Sequence, residues 1–271
     1  MSRSPSDLCL LCQKEPATQT NSHLIPRFLS AKMLLNATKQ HFIISRPLLL
    51  KYDVPAQSTP KENFLLCPNC EKRLSFVERY IANMFINRYQ VSQYASDFPE
   101  SSGGVYLNER KVIHLNQVDP SIVRLFVYSI LWRVAVSHEH YPNFNISADR
   151  LKELRNYLDK GLSYNGANLT ENTTSPTTIE ALPPYNIFIC LENKEQGINF
   201  VTVRDFDENG NEAFIAANEL HIYFNFKRKS DFTKPQRSSE STKAHVKLSP
   251  LWEWEYHINQ IRKAYGKPPL K

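Results

Sequence analysis

The chain of 271 residues is 41% hydrophobic and carries a formal net charge of +6, which is enough apolar content to bury a core in one or two domains and excludes a disordered or fibrous class. No segment reads as a membrane span: the best candidate, Ile122 to Val136, has 15 residues and contains Arg124 and Arg133, against roughly 20 apolar residues needed to cross a bilayer. The N-terminus lacks the apolar run of a secretory signal, so the cytoplasm is the expected compartment, and the five cysteines are then reduced thiols better suited to metal than to disulfides.

In chain order, residues 1–95 are read as a cysteine module. Its first knuckle is Leu8-Cys-Leu-Leu-Cys12; a short helix is expected after Pro26, because proline suits a first helical turn. The stretch His41 to Tyr52 has strand composition. The second knuckle, Leu66-Cys-Pro-Asn-Cys70, runs into a long amphipathic helix whose apolar positions are Leu74, Val77, Ile81, Met84, Phe85 and Tyr89. Residues 96–162 connect this module to the rest. Val105–Leu107 and Val112–Leu115 are expected to pair as a hairpin around Asn108-Glu-Arg110. Asp119-Pro120 opens a helix that is apolar nearly all round and therefore central, and a second helix, Ser147 to Lys160, is expected to stop at Gly161. Residues 163–184, rich in Thr, Asn, Ser and Pro, form a linker or loop. From 185 to 271 the pattern turns to strands, at 186–192, 198–206, 212–216 and 221–226, with a turn at Asp207-Glu-Asn-Gly-Asn211. A polar loop over 229–245 and a helix from Ser249-Pro250 to about Gly266 complete an α+β chain with central helices and an antiparallel, β-rich C-terminal part.

Charge is unevenly spread. Residues 1–90 hold twelve Lys and Arg against six Asp and Glu, and the remainder is nearly balanced. A basic surface there suits a phosphate backbone; a solvated basic face without a ligand is the plain alternative.

Chemistry concentrates in two CxxC pairs, Cys9/Cys12 and Cys67/Cys70. Each pair can grip one ion, and four thiolates close a tetrahedral zinc site with no open position, which makes it structural. The alternative is that one pair is accidental or redox-active. Cys190 reads as a small buried residue of a strand, and His138 and His140 as a helix terminus that favours cations. The 54 residues between Cys12 and Cys67 far exceed the spacing of a compact zinc ribbon, about 15–20, so other structure must stand between the knuckles. That interval contains Ser22-His-Leu-Ile-Pro-Arg-Phe28 and leads into Glu62-Asn-Phe-Leu-Leu-Cys-Pro-Asn-Cys-Glu71.

In these residues the chain resembles the HNH endonucleases, the ββα-metal nucleases built on a treble-clef zinc scaffold. The family outline is a CxxC knuckle, His-Ile-x-Pro, an Asn shortly before Leu-Cys-x-x-Cys, and a His after the last Cys. Here the corresponding residues are Cys9/Cys12, His23-Leu-Ile-Pro26, Asn63, Cys67/Cys70 and Glu71. The likeness is greatest to a bacterial branch with a Ser-His-Ile-Ile-Pro signature and covers about residues 8–80. Ser22 stands where many members carry an acidic or His ligand, and Glu71 where they carry His. The resemblance implies phosphodiester hydrolysis of double-stranded DNA, with His23 as general base, Asn63 orienting that imidazole or its strand, and Glu71 holding Mg²⁺ or Mn²⁺. Glu78, two turns further on, is a second candidate ligand, and Arg27, Lys72 and Arg73 are candidate phosphate contacts. Each has an ordinary structural reading: a turn-capping histidine, a turn asparagine, and an acid favoured at a helix N-terminus. Antiphage defence is the biological setting the resemblance suggests. A catalytically weak or inactive zinc module that binds nucleic acid or a partner protein is the competing function, and the C-terminal part could hold a partner or a second copy.

Overall fold

Cys67 ends an extended segment and caps the first long helix: its Sγ accepts from the Cys70 backbone N–H at 3.4 Å, and Pro68 takes the first helical position. Helix α1, Pro68–Ala82, buries Cys70, Leu74, Val77 and Ile81, the i, i+4, i+7, i+11 stripe that the sequence announces. It continues into a π-helical turn, Asn83–Arg88, that buries Met84 and Phe85. The computed structural model describes residues 3–30, 42–45, 54–56, 59–89, 92–102, 111–142, 144, 146–162, 182–183, 185–190, 199–205, 212–217, 220–226 and 245–249. Within them the protein is a mixture of helix and sheet.

Helix α2, Pro120–Ala135, starts as the sequence indicates: Asp119 Oδ1 accepts the Ser121 N–H at 2.7 Å, and every residue from Ile122 to Val134 except Arg124 is buried. Helix α3, Ala148–Gly161, is capped by Ser147. Gly161 is not the left-handed stop that the sequence suggests. It is the last helical residue, and it lies against α2 so closely that a Cβ there would sit 2.5 Å from Leu125 Cδ2. Leu125 is fully buried, so Gly161→Ala is expected to cost about 1–3 kcal/mol through overpacking, despite alanine being the better helix former. A urea midpoint equal to or above that of the parent chain would contradict this.

Two sheets form. A two-stranded ribbon pairs β1, Ser22–His23, with β4, Lys61–Glu62, in register Ser22 to Glu62 and His23 to Lys61. The larger sheet has nine strands in the order β3-β2-β8-β9-β10-β7-β11-β6-β5. Its members are β2 (Phe42–Ser45), β3 (Val54–Ala56), β5 (Glu100–Ser102), β6 (Lys111–His114), β7 (Tyr185–Cys190), β8 (Asn199–Asp205), β9 (Glu212–Ala217), β10 (Leu220–Asn225) and β11 (His245–Ser249). The sheet departs from the sequence reading in two ways. It is mixed rather than antiparallel, since β2 runs parallel to β8 and β11 parallel to β7. It also recruits strands from residues 42–56 and 100–114, so it is not confined to the C-terminal part. His245–Ser249, whose first residue the sequence reading put at the end of a polar loop and whose last it put at the start of a helix, is the strand that bridges β7 and β6.

The short helix after Pro26 is a 3₁₀ turn, Arg27–Ser30. Residues 105–107 of the expected hairpin, the turn at 207–211, the loop 229–244, the terminal helix after Pro250 and most of the 163–184 linker lie outside the described residues. The second arm of that hairpin is β6, which pairs with β5 and β11. No helix among the described residues is long and apolar enough to cross a membrane.

One apolar cluster runs without a break from Cys9, Cys67 and Cys70 through α1 and α2 to Ile187, Ile215 and Phe224 of the large sheet. Tyr128 of α2 stands edge-on to Tyr157 of α3 and to Tyr185 of β7, at centroid separations of 5.5 and 5.3 Å, and donates its hydroxyl to the Pro183 carbonyl at 3.0 Å. Large aromatic rings in this geometry contribute beyond their buried area and join helices to sheet.

Candidate functional site

Local backbone bonds build the first knuckle. Gln13 N–H closes a turn on Cys9 O at 2.9 Å, with Gln13 at φ 55°, and Cys9 N–H donates to Glu15 O at 2.8 Å. Three bonds then tie this knuckle to the segment before Cys67: Leu10 N–H to Leu65 O, Gln19 N–H to Leu66 O, and Phe64 N–H to Gln19 O, at 2.9, 3.0 and 2.8 Å. The result brings Cys9, Cys12, Cys67 and Cys70 together, with their four Sγ atoms all within 4.8 Å of one another and Cys12 Sγ 3.9 Å from Cys67 Sγ. A tetrahedral zinc with bonds of about 2.3 Å sets its sulfurs about 3.8 Å apart, so the donor set suits zinc. Without a cation the sulfurs could not all ionise. The Cys70 thiol, donating to Cys9, draws Cys9 down to about 4; burial pushes Cys67 up to about 12; Cys70, whose proton is held by Cys9, is also raised. A divalent ion removes that conflict by sharing the charge of all four.

The second cysteine knuckle fixes where α1 begins, with Cys67 as its cap, and α1 carries Glu71 one residue after Cys70. Burial raises the Glu71 carboxyl above its usual range; Arg133 and Ser22 pull it partly back, and Glu78 opposes them. Ser22 Oγ donates to Glu71 Oε2 at 3.0 Å, which joins the ribbon to the helix. The neighbouring His23 leaves the strand on the other side, as alternation requires, and its Nδ1 lies 2.7 Å from Thr59 Oγ1. Burial lowers the His23 pKa to about 4, with added repulsion from Lys61, Arg133 and Arg27, so the ring is neutral at physiological pH. Asn63 does not reach the imidazole. Its Oδ1 accepts the Asn21 N–H at 2.8 Å and thereby holds the strand at a residue with φ 55°, a backbone state asparagine tolerates.

Arg133 is the site residue that sequence reasoning passed over, noting it only as a charge that spoils a membrane span. It projects from α2, is 2% exposed, and spreads four contacts. Nη1 meets Glu78 Oε1 at 2.7 Å and His23 O at 2.8 Å; Nε donates to Ser129 O at 3.2 Å and Nη2 to Ser129 Oγ at 3.4 Å. A lone arginine in an otherwise apolar helix is the signal that could have marked it, since buried charges are almost always paired. Glu62, 3% exposed, was missed as well, since its polar neighbours Lys61 and Asn63 give no sign that it is buried. It accepts from Ser137 Oγ at 2.6 Å and from the His138 N–H at 3.2 Å, while His140 Nε2 lies 2.7 Å from Lys61 O. These bonds fasten β4 to the end of α2.

The other expected site residues divide. Glu78 is paired with Arg133 rather than left open to a cation. Arg73, read from sequence as a phosphate contact, is committed inside the fold: it donates to Leu162 O at 2.8 Å, to Cys70 Sγ at 3.4 Å, and pairs with Asp159 at 3.0 Å. Cys70 and the end of α3 therefore consume its donors. Arg27 and Lys72 are exposed. Among the described residues, the four cysteines are the only group of three or more His, Cys, Asp and Glu side chains that converge as metal ligands. Glu71 and Glu78 do not assemble a second such group with His23. No family model matches this chain, and no curated protein and no solved structure is significantly similar to it.

Proposed function

We propose that this protein is a metal-dependent nuclease of HNH type, with a ββα-metal module on a zinc scaffold and an active site made by His23, Asn63 and Glu71. The observation that carries the proposal is the Ser22–Glu71 hydrogen bond of 3.0 Å: it sets the first turn of a zinc-anchored helix against the strand that bears His23. That bond joins two motif residues 49 positions apart, with His23 the next residue along the strand. In this reading Thr59 Oγ1 accepts a hydrogen bond from His23 Nδ1–H, which leaves the Nε2 lone pair to take a proton from water. Asn63 keeps the strand in place, and Arg133 holds its backbone carbonyl. Glu71, with the Ser22 hydroxyl beside it, offers hard oxygen donors. Mg²⁺ is commonly held by one or two carboxylates plus substrate phosphates, and it would supply charge stabilisation at the phosphate.

The test is incubation of the zinc-loaded protein with plasmid DNA, duplex and single-stranded oligonucleotides, with Mg²⁺ or Mn²⁺, beside His23→Ala. Loss of a general base is expected to slow cleavage by about 10²- to 10⁴-fold. Equal cleavage by both proteins would remove His23 from the mechanism. A second reading, a zinc module that binds nucleic acid without cutting it, is favoured by the Glu78–Arg133 pair, which takes up a carboxylate a cation would use. It is selected if salt-dependent binding is found and no product forms with either cation.

A further inference from the structure

We propose that the outer face of α1 is a track for single-stranded nucleic acid, with Phe76 as the stacking platform and Lys72 and Arg79 as the phosphate contacts on either side. The inference rests on the nucleic-acid reading above and names the strand form it takes.

Two large hydrophobic side chains among the described residues are exposed, Leu8 at 56% and Phe76 at 38%. Phe76 is the one on a helix face that also carries two exposed cations. At 3.6 residues per turn, Lys72, Phe76 and Arg79 fall within about 60° of one helix face and span about 10 Å along it. All three are exposed. Cys70, Leu74, Val77 and Ile81 occupy the opposite, buried face, and Glu71 and Glu78 lie on the flank that Arg133 and Ser22 meet. No acid therefore interrupts the stripe.

The contrast with the chain's other cations is informative. Among the described residues, Arg73, Arg88 and Arg133 are each paired with a carboxylate, whereas Lys72 and Arg79 are not. Three guanidiniums packed into the fold are ion-paired, while two exposed cations, separated by an aromatic ring, stand on a single outward face of α1 in the most basic segment. The occupant that complements such a face carries regularly spaced negative charge and flat apolar rings. A duplex offers the charge but keeps its ring faces stacked inside; an unpaired strand offers both.

Binding is read by fluorescence anisotropy in the His23→Ala background, which removes cutting, with single-stranded DNA, single-stranded RNA and the matching duplex at fixed salt. We expect a single strand to bind more tightly than the duplex. Phe76→Ala is expected to weaken that binding about 5- to 150-fold, the range of one lost base stack, and Phe76→Trp to retain it. Lys72→Gln and Arg79→Gln should each flatten the slope of log affinity against log salt by about 0.7. The DNA and RNA arms decide which backbone is taken. Unchanged affinity in Phe76→Ala, equal or tighter binding of the duplex, or no binding to any of the three overturns the proposal. Because Phe76 is exposed, circular dichroism of the variant separates loss of binding from loss of fold. Cleavage by the wild-type chain is scored separately: cutting that is indifferent to Phe76 removes the track and keeps the nuclease, and Phe76-dependent binding without cutting does the reverse.

Discussion

Arg133→Met is expected to lower the unfolding free energy by about 3 kcal/mol, the lower end of what removal of one partner from a buried ion pair costs. The side chain is 3% exposed and its Glu78 partner 20%, so Glu78 would be left largely buried with no counter-ion. The His23 carbonyl would also lose a donor 110 residues away in sequence. Methionine fills most of the volume, which keeps the cavity contribution small. The diagnostic comparison is the double variant Arg133→Met with Glu78→Gln. If the cost is the stranded carboxylate, the second change restores a substantial part of the stability. A single-variant loss below about 1 kcal/mol, within the range of an exposed pair, would show that Arg133 is not the tie between α2 and the ribbon.

Removing the zinc should have a larger effect. Metal–thiolate binding in small zinc domains contributes about 10–16 kcal/mol of folding free energy at neutral pH, and here the ligands Cys9, Cys67 and Cys70 belong to the same apolar cluster as α1 and α2. Purified protein is expected to hold one zinc per chain by elemental analysis. Its four clustered thiols should react slowly with a disulfide reagent until a chelator is added, and chelation or Cys67→Ala should abolish cooperative unfolding of the N-terminal elements. Metal-free protein with an unchanged melting transition would overturn the site. The Cys67→Ala change also removes the cap of α1, a further loss of about 1 kcal/mol, so chelation of the parent chain is the cleaner measurement.

What the sequence reveals depends on how local the signal is. The cysteine pairs are legible because each CxxC is a self-contained bidentate unit, and the helix starts at Pro68, Asp119 and Ser147 are legible because caps act within three residues. The site is legible as far as its motif residues are named. What escapes is the partnership of those residues with distant ones. Arg73 advertises a positive charge, but the sequence does not say that Asp159 and Leu162 will use it, 86 and 89 positions away. Asn63 lies close to His23 through β1 and β4, yet Thr59 is the residue that meets the ring. The strand at His245–Ser249 is hidden because its pattern is short and its partners, β7 and β6, lie far off in sequence. Gly161 has an obvious meaning as a helix stop, and the actual constraint comes from Leu125 on another helix.

The nine-stranded sheet has a bearing on how this chain can be divided. Strands β2 and β3 come from between the two cysteine pairs, so the segment whose ends meet at the four-cysteine cluster is also fastened, by β2, to β8 near residue 200. A fragment stopping after residue 95 would retain every proposed catalytic side chain yet present β2 with a bare row of amide and carbonyl groups, an invitation to self-association. Modular swapping, in which the front portion is grafted onto a foreign body, runs against this architecture, because the two portions share one sheet.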